Sequence, residues 1–473
     1  MELNLFNTQS RQCEAIVLEP QKPFKTYCCG PTVYGPAHIG NFRTYVVQDV
    51  LVRLLKLLKV AVCYVRNITD VDDKTIRGAH QNNQSLQEFT TYWTQRFHND
   101  CERLNLLPPT VEPKATETID DQLALIQLLM DNGYAYARNG SVYFRISACK
   151  DYGKLSHLNE RELQTQDLNS AEQSNDADEY ERDQIADFAL WKAYKPEDGA
   201  VAWDSPWGRG RPGWHTECSA MTHRYLGGTL DVHSGGVDLV FPHHENEIAQ
   251  SESAYKVPFV NHWLHIAHLR VNGQKMSKKL GNLYTLDSLQ EQHYEPSTVR
   301  YALIAGHYRK PLNFTFENLN AAQSALHKIY AYTQALCKQL SVDFATLSTL
   351  IQQATLPDHL QWLQPFFDAL LHDDLNTPKA LGCLFSFMGQ HPQLSLDEAK
   401  TVFPEWLAML YALGIQPVEQ RVSIPPEIQE LAEKRWQCKR SGEYQEADNL
   451  RKALMDKGWR VLDNAQGYRV EPL

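Results

Sequence analysis

No stretch of the 473-residue sequence offers the roughly 18 uninterrupted apolar residues that a membrane-spanning helix needs. The best window, residues 46–65, carries Asp49, Arg53, Lys56 and Lys59, which excludes a helical span there. The opening MELNLFNTQSRQ has neither a basic start nor an apolar core of signal-peptide length, so a soluble, cytoplasmic protein is expected. Ten cysteines are present without one CxxC pair. In a reducing cytosol they are expected as thiols, available for packing or for a metal rather than for disulfides. No internal repeat is found, which excludes a solenoid. The net charge of -11 lacks the positive excess of an indiscriminate nucleic-acid binder. A local basic face on an acidic protein still holds a phosphate backbone, so RNA is not excluded.

What is present is the composition of a folded protein, 43% hydrophobic and 22% charged. At about 100–200 residues per domain the length predicts three or four units. KTYCCGPTVYG at 25–35 reads as a strand entering a turn, residues 45–57 have helical period, and VAVCYV at 60–65 reads as a buried strand. Strand, turn, helix and strand predict a parallel sheet with ligands beyond its carboxyl edge. A middle stretch interrupts this pattern with helices near 84–104 and 116–132 and a strand at 140–146, and 160–185 is polar enough to predict an exposed loop. Sheet-like sequence resumes near 230 and in NHWLHIAHLRV, 261–271, where apolar and polar residues alternate, so the two halves are expected to share one sheet. Residues 312–415 are Leu- and Ala-rich with helical spacing, with Thr377-Pro378 as a helix cap and first-turn proline. After VSIPPEIQ a terminal segment carries Lys434, Arg435, Lys439, Arg440, Arg451, Lys452, Lys457 and Arg460, a pattern that more often marks a solvated face than an RNA contact.

Two segments suggest a nucleotide. His38-Ile39-Gly40-Asn41 stands where the first strand hands over to the first helix, so imidazole, glycine backbone and amide can face one anion. Lys275-Met276-Ser277-Lys278-Lys279, in a loop opened by Asn272-Gly273, gathers ammonium groups that can close over a triphosphate. Either alone is weak, since a turn histidine is usually local hydrogen bonding and a lysine run is usually solvated. Together they read as halves of one ATP site. A metal is suggested by Cys28, Cys29, Cys218 and the pair His243 and Glu247, whose four-residue spacing puts both on one helix face. Cysteine, histidine and carboxylate ligands fill a tetrahedron around zinc, although single cysteines are commonly core residues.

The paired nucleotide segments resemble the signatures of class I aminoacyl-tRNA synthetases, His-Ile-Gly-His and Lys-Met-Ser-Lys-Ser, with Asn41 and Lys279 as departures. Three elements are similar to those of the cysteine-specific members: Tyr27-Cys28-Cys29-Gly30-Pro31-Thr32-Val33-Tyr34, Gly213-Trp214-His215-Thr216-Glu217-Cys218-Ser219-Ala220-Met221 and Phe241-Pro242-His243-His244-Glu245-Asn246-Glu247. The resemblance implies zinc on Cys29, Cys218, His243 and Glu247, with His215 and His244 close by. It implies ATP with Mg2+ at His38, Gly40, Asn41, Lys275 and Lys278, and a Gly235-Gly236-x-Asp238 element whose carboxylate bonds the adenosine ribose. Thr69, in RNITDVDDK, and Trp214 are expected beside the amino acid. GHYR at 306–309, DDLNTP at 373–378 and EADNLRKAL near the end extend the likeness along the chain.

The implied architecture is α/β: a Rossmann-like parallel-sheet catalytic domain (1–115 and 214–311) with an inserted connective domain (116–213), a helical tRNA-binding domain (312–415) and a small basic C-terminal domain (425–473). The implied activity is ATP-dependent activation of L-cysteine to cysteinyl-adenylate and its transfer to tRNA(Cys) by a monomer. Two other readings are open. A cysteine ligase of the mycothiol-pathway type shares the catalytic half but need not keep the helical and terminal regions. A non-catalytic tRNA-binding relative would not need His38 and the lysine loop.

Overall fold

The computed structural model describes residues 2–19, 21–158, 174–175, 187–276, 280–417, 425–464 and 467–472. Four strands, Phe24–Cys28 (β1), Val62–Arg66 (β2), Leu230–Gly236 (β3) and Val260–Ile266 (β4), form the central sheet. They pair in the order β4-β3-β1-β2, every pair parallel. The two halves of the sequence thus meet where β1 lies against β3. From that gap the chain runs outward in both directions, β1 to β2 and β3 to β4, so the crevice beyond the carboxyl ends of β1 and β3 is the switch point where open α/β sheets take ligands.

Helix α1, Ile39–Leu57, makes the first crossover. It is apolar enough to bury most of its circumference, and the charges it carries inward are matched. Arg43 donates to the carbonyls of Ala267 (2.6 Å), His268 (2.9 Å), His307 (3.1 Å) and Lys310 (2.7 Å). Helix α2, Trp214–Leu226, leads into β3, and helix α3, Glu245–Tyr255, links β3 to β4.

Between β2 and α2 the chain leaves the sheet. Helices Asp73–Gln81, Leu86–Arg103 and Ile119–Asp131 are followed by antiparallel strands Ala135–Arg138, Ser141–Phe144, Asp187–Ala193 and Gly210–Pro212. Leu125, Ile126, Val142, Phe144, Phe188, Leu190 and Trp191 form a separate apolar cluster here, which closes on α2 and α3 through Ala220 and Ala249. The loop expected at 160–185 lies outside the described residues except for Ser174–Asn175, a short strand parallel to Asp187–Phe188.

The sheet-like stretch at 261–271 supplies most of β4, as expected, and its polar positions within the strand are largely buried. His262 through Ile266 are all buried, because the N-terminal hairpin Glu2–Asn7/Gln12–Val17 covers this edge, with Thr8 N–H donating to Trp263 O at 3.0 Å. The chain then breaks at Ala267–His268, and Leu269–Val271 pairs with Leu312–Phe314 and Gln274–Lys275 in a different sheet. The helical region follows as Phe316–Leu340, Phe344–Gln352, Gln364–Leu371, Thr377–Gln390 and Leu396–Leu413. The expected cap moves by one residue: Asn376 accepts from Lys379 N–H at 3.1 Å, whereas Thr377 spends its hydroxyl on Ile304 O at 2.6 Å. GHYR and DDLNTP meet at Asp374, a buried carboxylate that accepts from Tyr308 OH, Arg309 Nε and, at 2.8 Å, Phe6 N–H.

The chain divides into two compact units, Met1–Pro417 and Val418–Leu473. The second holds helices Pro426–Ser441 and Tyr444–Asp456 and the hairpin Trp459–Asn464/Gly467–Pro472 around Ile428, Ala432, Leu454, Val461 and Val470. Not all of its basic residues face solvent. Arg435 is buried in a two-pronged pair with Asp463 (2.6 and 2.7 Å), which Lys439 joins at 2.6 Å, while Lys434, Arg440, Arg451 and Lys452 are exposed. Among the described residues no helix is long and apolar enough to cross a membrane.

Candidate active site and metal centre

Cys29 leaves the end of β1 with its N–H bonded to Ser234 O of β3 (3.2 Å), so it sits at the switch point. The α2 helix supplies Cys218, and the segment entering α3 supplies His243 and Glu247. Cys29 Sγ is 3.9 Å from Cys218 Sγ and 3.7 Å from Glu247 Oε1, and His243 Nε2 is 3.0 Å from the same carboxylate oxygen. All four are buried, and their donor atoms lie within 4.8 Å of one another. Cys28, one residue away, faces Cys29 O at 3.7 Å and joins no such group among the described residues; burial pushes its thiol up to about 11. Successive strand side chains take opposite faces, which is what separates the two cysteines.

Electrostatics ties the four side chains to one another. Burial opposes ionisation of Glu247, but His233 and His243 overcome it and hold the carboxyl at about 2. Burial disfavours a charged His243, yet Glu247 and Cys218 raise it to about 10. The thiols act as a pair: a hydrogen bond from Cys29 outweighs burial and brings Cys218 to about 6, while burial and then Cys218 push Cys29 well up. Two sulfurs, an imidazole and a carboxylate in a buried pocket are the donor set of a soft or borderline dication, and they fit one.

Several neighbours were not singled out by sequence reasoning. His233 Nε2 meets Glu247 Oε2 at 2.9 Å, and His265 Nε2 meets His244 Nδ1 at 2.7 Å. Burial, then His233, pulls His265 down to about 3. The signal for His265 was available, since the polar positions of the 261–271 alternation include it. Glu217, next to Cys218, is pushed well above the carboxylate range by burial and then by Cys218, and accepts from Thr69 Oγ1 at 3.0 Å. Thr69 is therefore held beside the cluster's helix, with Asn67 Nδ2 also donating to it at 3.2 Å. Trp214 lies over His243, ring centroids 4.3 Å apart and 28° between planes, and His215 Nδ1 contacts His243 Nδ1 at 2.9 Å.

The nucleotide candidates gather at the same edge. His38 is the N-cap of α1 and Asn41 its third residue, locked reciprocally: Asn41 N–H donates to His38 Nδ1 (3.2 Å) and His38 N–H to Asn41 Oδ1 (3.1 Å). Because Nδ1 accepts, the proton of the neutral ring sits on Nε2. A Cβ at Gly40 would lie 2.6 Å from Met276 Cε, so the glycine lets the lysine loop rest on the helix start. Ile39 N–H bonds Tyr284 O (3.0 Å) on the returning arm of that loop, where Asn282 Nδ2 also holds Lys275 O (3.2 Å). Lys275 is exposed, and Lys278 lies outside the described residues. Gly236 ends β3, and exposed Asp238 leans over it, its Oδ1 2.4 Å from where a Gly236 Cβ would be.

This fold is shared with the Mycobacterium tuberculosis methionyl-tRNA synthetase solved with methionyl-adenylate, at a TM-score of 0.57 and 14% identity over 84% of this chain and 92% of that one. Residues 16–324 match the family described as tRNA synthetases class I (C) catalytic domain. The chain belongs to the class I aminoacyl-tRNA synthetases and, within them, to the cysteine–tRNA ligase family. It is 48% identical over 482 residues to the cysteine–tRNA ligase of Opitutus terrae, covering 100% of this chain and 99% of that protein. It is 42% identical over 491 residues to the cysteine–tRNA ligase of Chlamydia trachomatis serovar A, covering 100% of both.

Proposed function

We propose that the protein activates L-cysteine with ATP and transfers the cysteinyl group to the 3′ end of tRNA(Cys). The observation that carries this reading is the buried Cys29–Cys218–His243–Glu247 set at the switch point, beside the His38 helix start. We assign these four side chains to zinc. The ion, when bound, supplies a Lewis acid for the substrate thiolate, and that selects cysteine over serine, whose neutral hydroxyl is a poor replacement. An apolar pocket alone would discriminate such analogues only about a hundredfold. Trp214 walls the pocket, and Thr69, oriented by Asn67 and Glu217, lies at the amino-acid end.

In the first reaction the cysteine carboxylate attacks the α-phosphate of Mg2+-bound ATP, forming cysteinyl-adenylate and expelling pyrophosphate. His38 donates from Nε2 as charge builds on phosphate oxygen, Asn41 fixes that ring, and Gly40 admits the closing loop. Lys275 and Lys278 neutralise the leaving pyrophosphate, while Gly236 and Asp238 receive the adenosine ribose. In the second, a terminal ribose hydroxyl of the tRNA attacks the activated carbonyl and AMP leaves. Rate arises from positioning and charge rather than from acid–base exchange. Lys278→Ala is expected to lower cysteine-dependent pyrophosphate exchange by ~100-fold or more while leaving bound metal unchanged; unaltered exchange would refute the lysine's role.

Transfer of labelled cysteine onto total tRNA, with serine as control, tests the whole reading. Cysteine-selective charging is expected. Exchange without charging would favour a ligase acting on a sugar amine, and tRNA binding without either would favour a non-catalytic relative. The likeness to cysteine–tRNA ligases over the full chain, helical region and terminal unit included, supports charging.

A further inference from the structure

Two side chains of the metal centre face in two directions at once. Glu247 presents Oε1 to His243 Nε2 at 3.0 Å and Oε2 to His233 Nε2 at 2.9 Å. Cys29 Sγ is 3.9 Å from Cys218 Sγ on one side and 3.4 Å from His244 Nε2 on the other. A second group of donors therefore overlaps the first: Cys29, His233, His244 and Glu247 are all buried, and their ligand atoms also lie within 4.8 Å of one another.

Sharing two ligands does not make the positions exclusive. A thiolate sulfur has lone pairs for two cations, and a carboxylate divides its oxygens between them; ions so bridged sit about 3.5–4 Å apart in two-metal sites. Charge permits the pair. Cys29, Cys218 and Glu247 as anions leave a single buried negative charge around one dication and a single positive one around two, so neither state carries the large buried net charge that is costly, and one further anion such as a substrate thiolate neutralises the second state. The unassigned donors are also held in place. His244 Nδ1 is fixed by His265 Nε2 at 2.7 Å, and His265 Nδ1 by Thr8 Oγ1 at 2.7 Å, which aims His244 Nε2 at Cys29. The imidazole of His233 stacks on Trp263, centroids 4.6 Å apart. A side chain at Gly235 would collide with the His244 ring, its Cβ 2.7 Å from Cε1, so the strand end is shaped around this histidine.

We propose that Cys29, His233, His244 and Glu247 form a second position for a thiophilic divalent cation of the zinc and cadmium kind, filled beside the first ion and bridged to it by Cys29 and Glu247. The second ion binds more weakly, because its set has one thiolate where the first has two. Filling it draws Glu247 Oε2 from His233 and crowds the cysteine pocket, so abundant free metal inhibits activation.

The inference rests on the metal assignment of the first set, and one experiment separates them. Full-length protein is stripped of metal, dialysed against rising ZnCl2, and its zinc content per chain is counted by mass spectrometry; titration with Co2+ is followed by visible absorption. Wild type is expected to take a tight ion and then a weaker one, the second with its own cobalt band. His233→Asn and His244→Asn, shown to be folded by circular dichroism, are expected to lose the second ion and its band and keep the first. A single ion in saturated wild type overturns the proposal, as does a second ion that persists in both variants, which would mark it as bound by exposed histidines. No ion at all overturns the assignment of the first set, and this proposal with it.

Discussion

At the scale of single residues, the site depends on side chains that orient other side chains. Trp214 is half-buried at the start of α2, yet its indole covers the His243 ring. Trp214→Ala is expected to weaken metal affinity by ~10–100-fold, the usual cost of losing support for a ligand, with little change in thermal stability; competition with a chromophoric chelator measures this. The candidate ligand set was legible only in part from the residues themselves. The His243–Glu247 spacing declares a shared helix face, and the strand at 24–28 places a cysteine at its end. Choosing between Cys28 and Cys29 needs the parity of that end, which a Cys-Cys pair hides until the sheet is assembled. His233 and Glu217 reach the cluster from elements whose packing brings them together, and a single histidine or glutamate in the sequence carries no sign of that.

At the scale of elements, α1 carries the candidate nucleotide site at its start and is a strut of the larger unit. Its Asp49 is buried and accepts from Arg53 Nε (2.7 Å), Leu107 N–H (2.7 Å) and Arg300. Burial would raise this carboxyl, but Arg53 and Arg300 more than compensate and hold it below its ordinary value. Its stabilising effect is therefore complete above the ordinary aspartate range and is lost as pH falls through the lower folded-state value. Asp49→Asn leaves two buried guanidinium groups without their anion and is expected to cost ~3–5 kcal/mol near neutrality, a gap that narrows in acid; urea unfolding of the two proteins across pH checks it. At the helix beginning with Thr377, Asn376→Ala is expected to cost ~1 kcal/mol and Asn376→Ser to restore most of it, by the same measurement. The Thr-Pro pair announced this helix one residue late because Thr, Pro and Asn are all credible starts, and only the backbone reveals which side chain points back. The alternation at 261–271 correctly marked sheet-forming sequence, but it did not reveal burial: alternation records chemistry, and the histidines there are polar without being exposed.

At the scale of the whole chain, the spacing of apolar residues changes over tens of positions between the sheet, the stretch that interrupts it and the helical region, and all three lie within one compact unit. The basic tail was harder to read, since charge in a sequence does not say which residues are already paired. With Arg435 and Lys439 committed to Asp463, the cationic surface left to meet a phosphate backbone centres on Lys434, Arg440, Arg451 and Lys452. Replacing these four by alanine is expected to weaken tRNA affinity by ~10-fold or more and to flatten its salt dependence, with pyrophosphate exchange unchanged; filter binding at several salt concentrations reads both. The Asp374 junction bears on how the protein is made. Phe6 N–H bonds that carboxylate, and Asn4 Nδ2 bonds the nearby His372 carbonyl at 3.3 Å. The strand Glu2–Asn7 is therefore made before the residues, 368 positions further along, that complete its docking. Until the helical region has emerged, the edge of the sheet that this hairpin covers stands without that fastening.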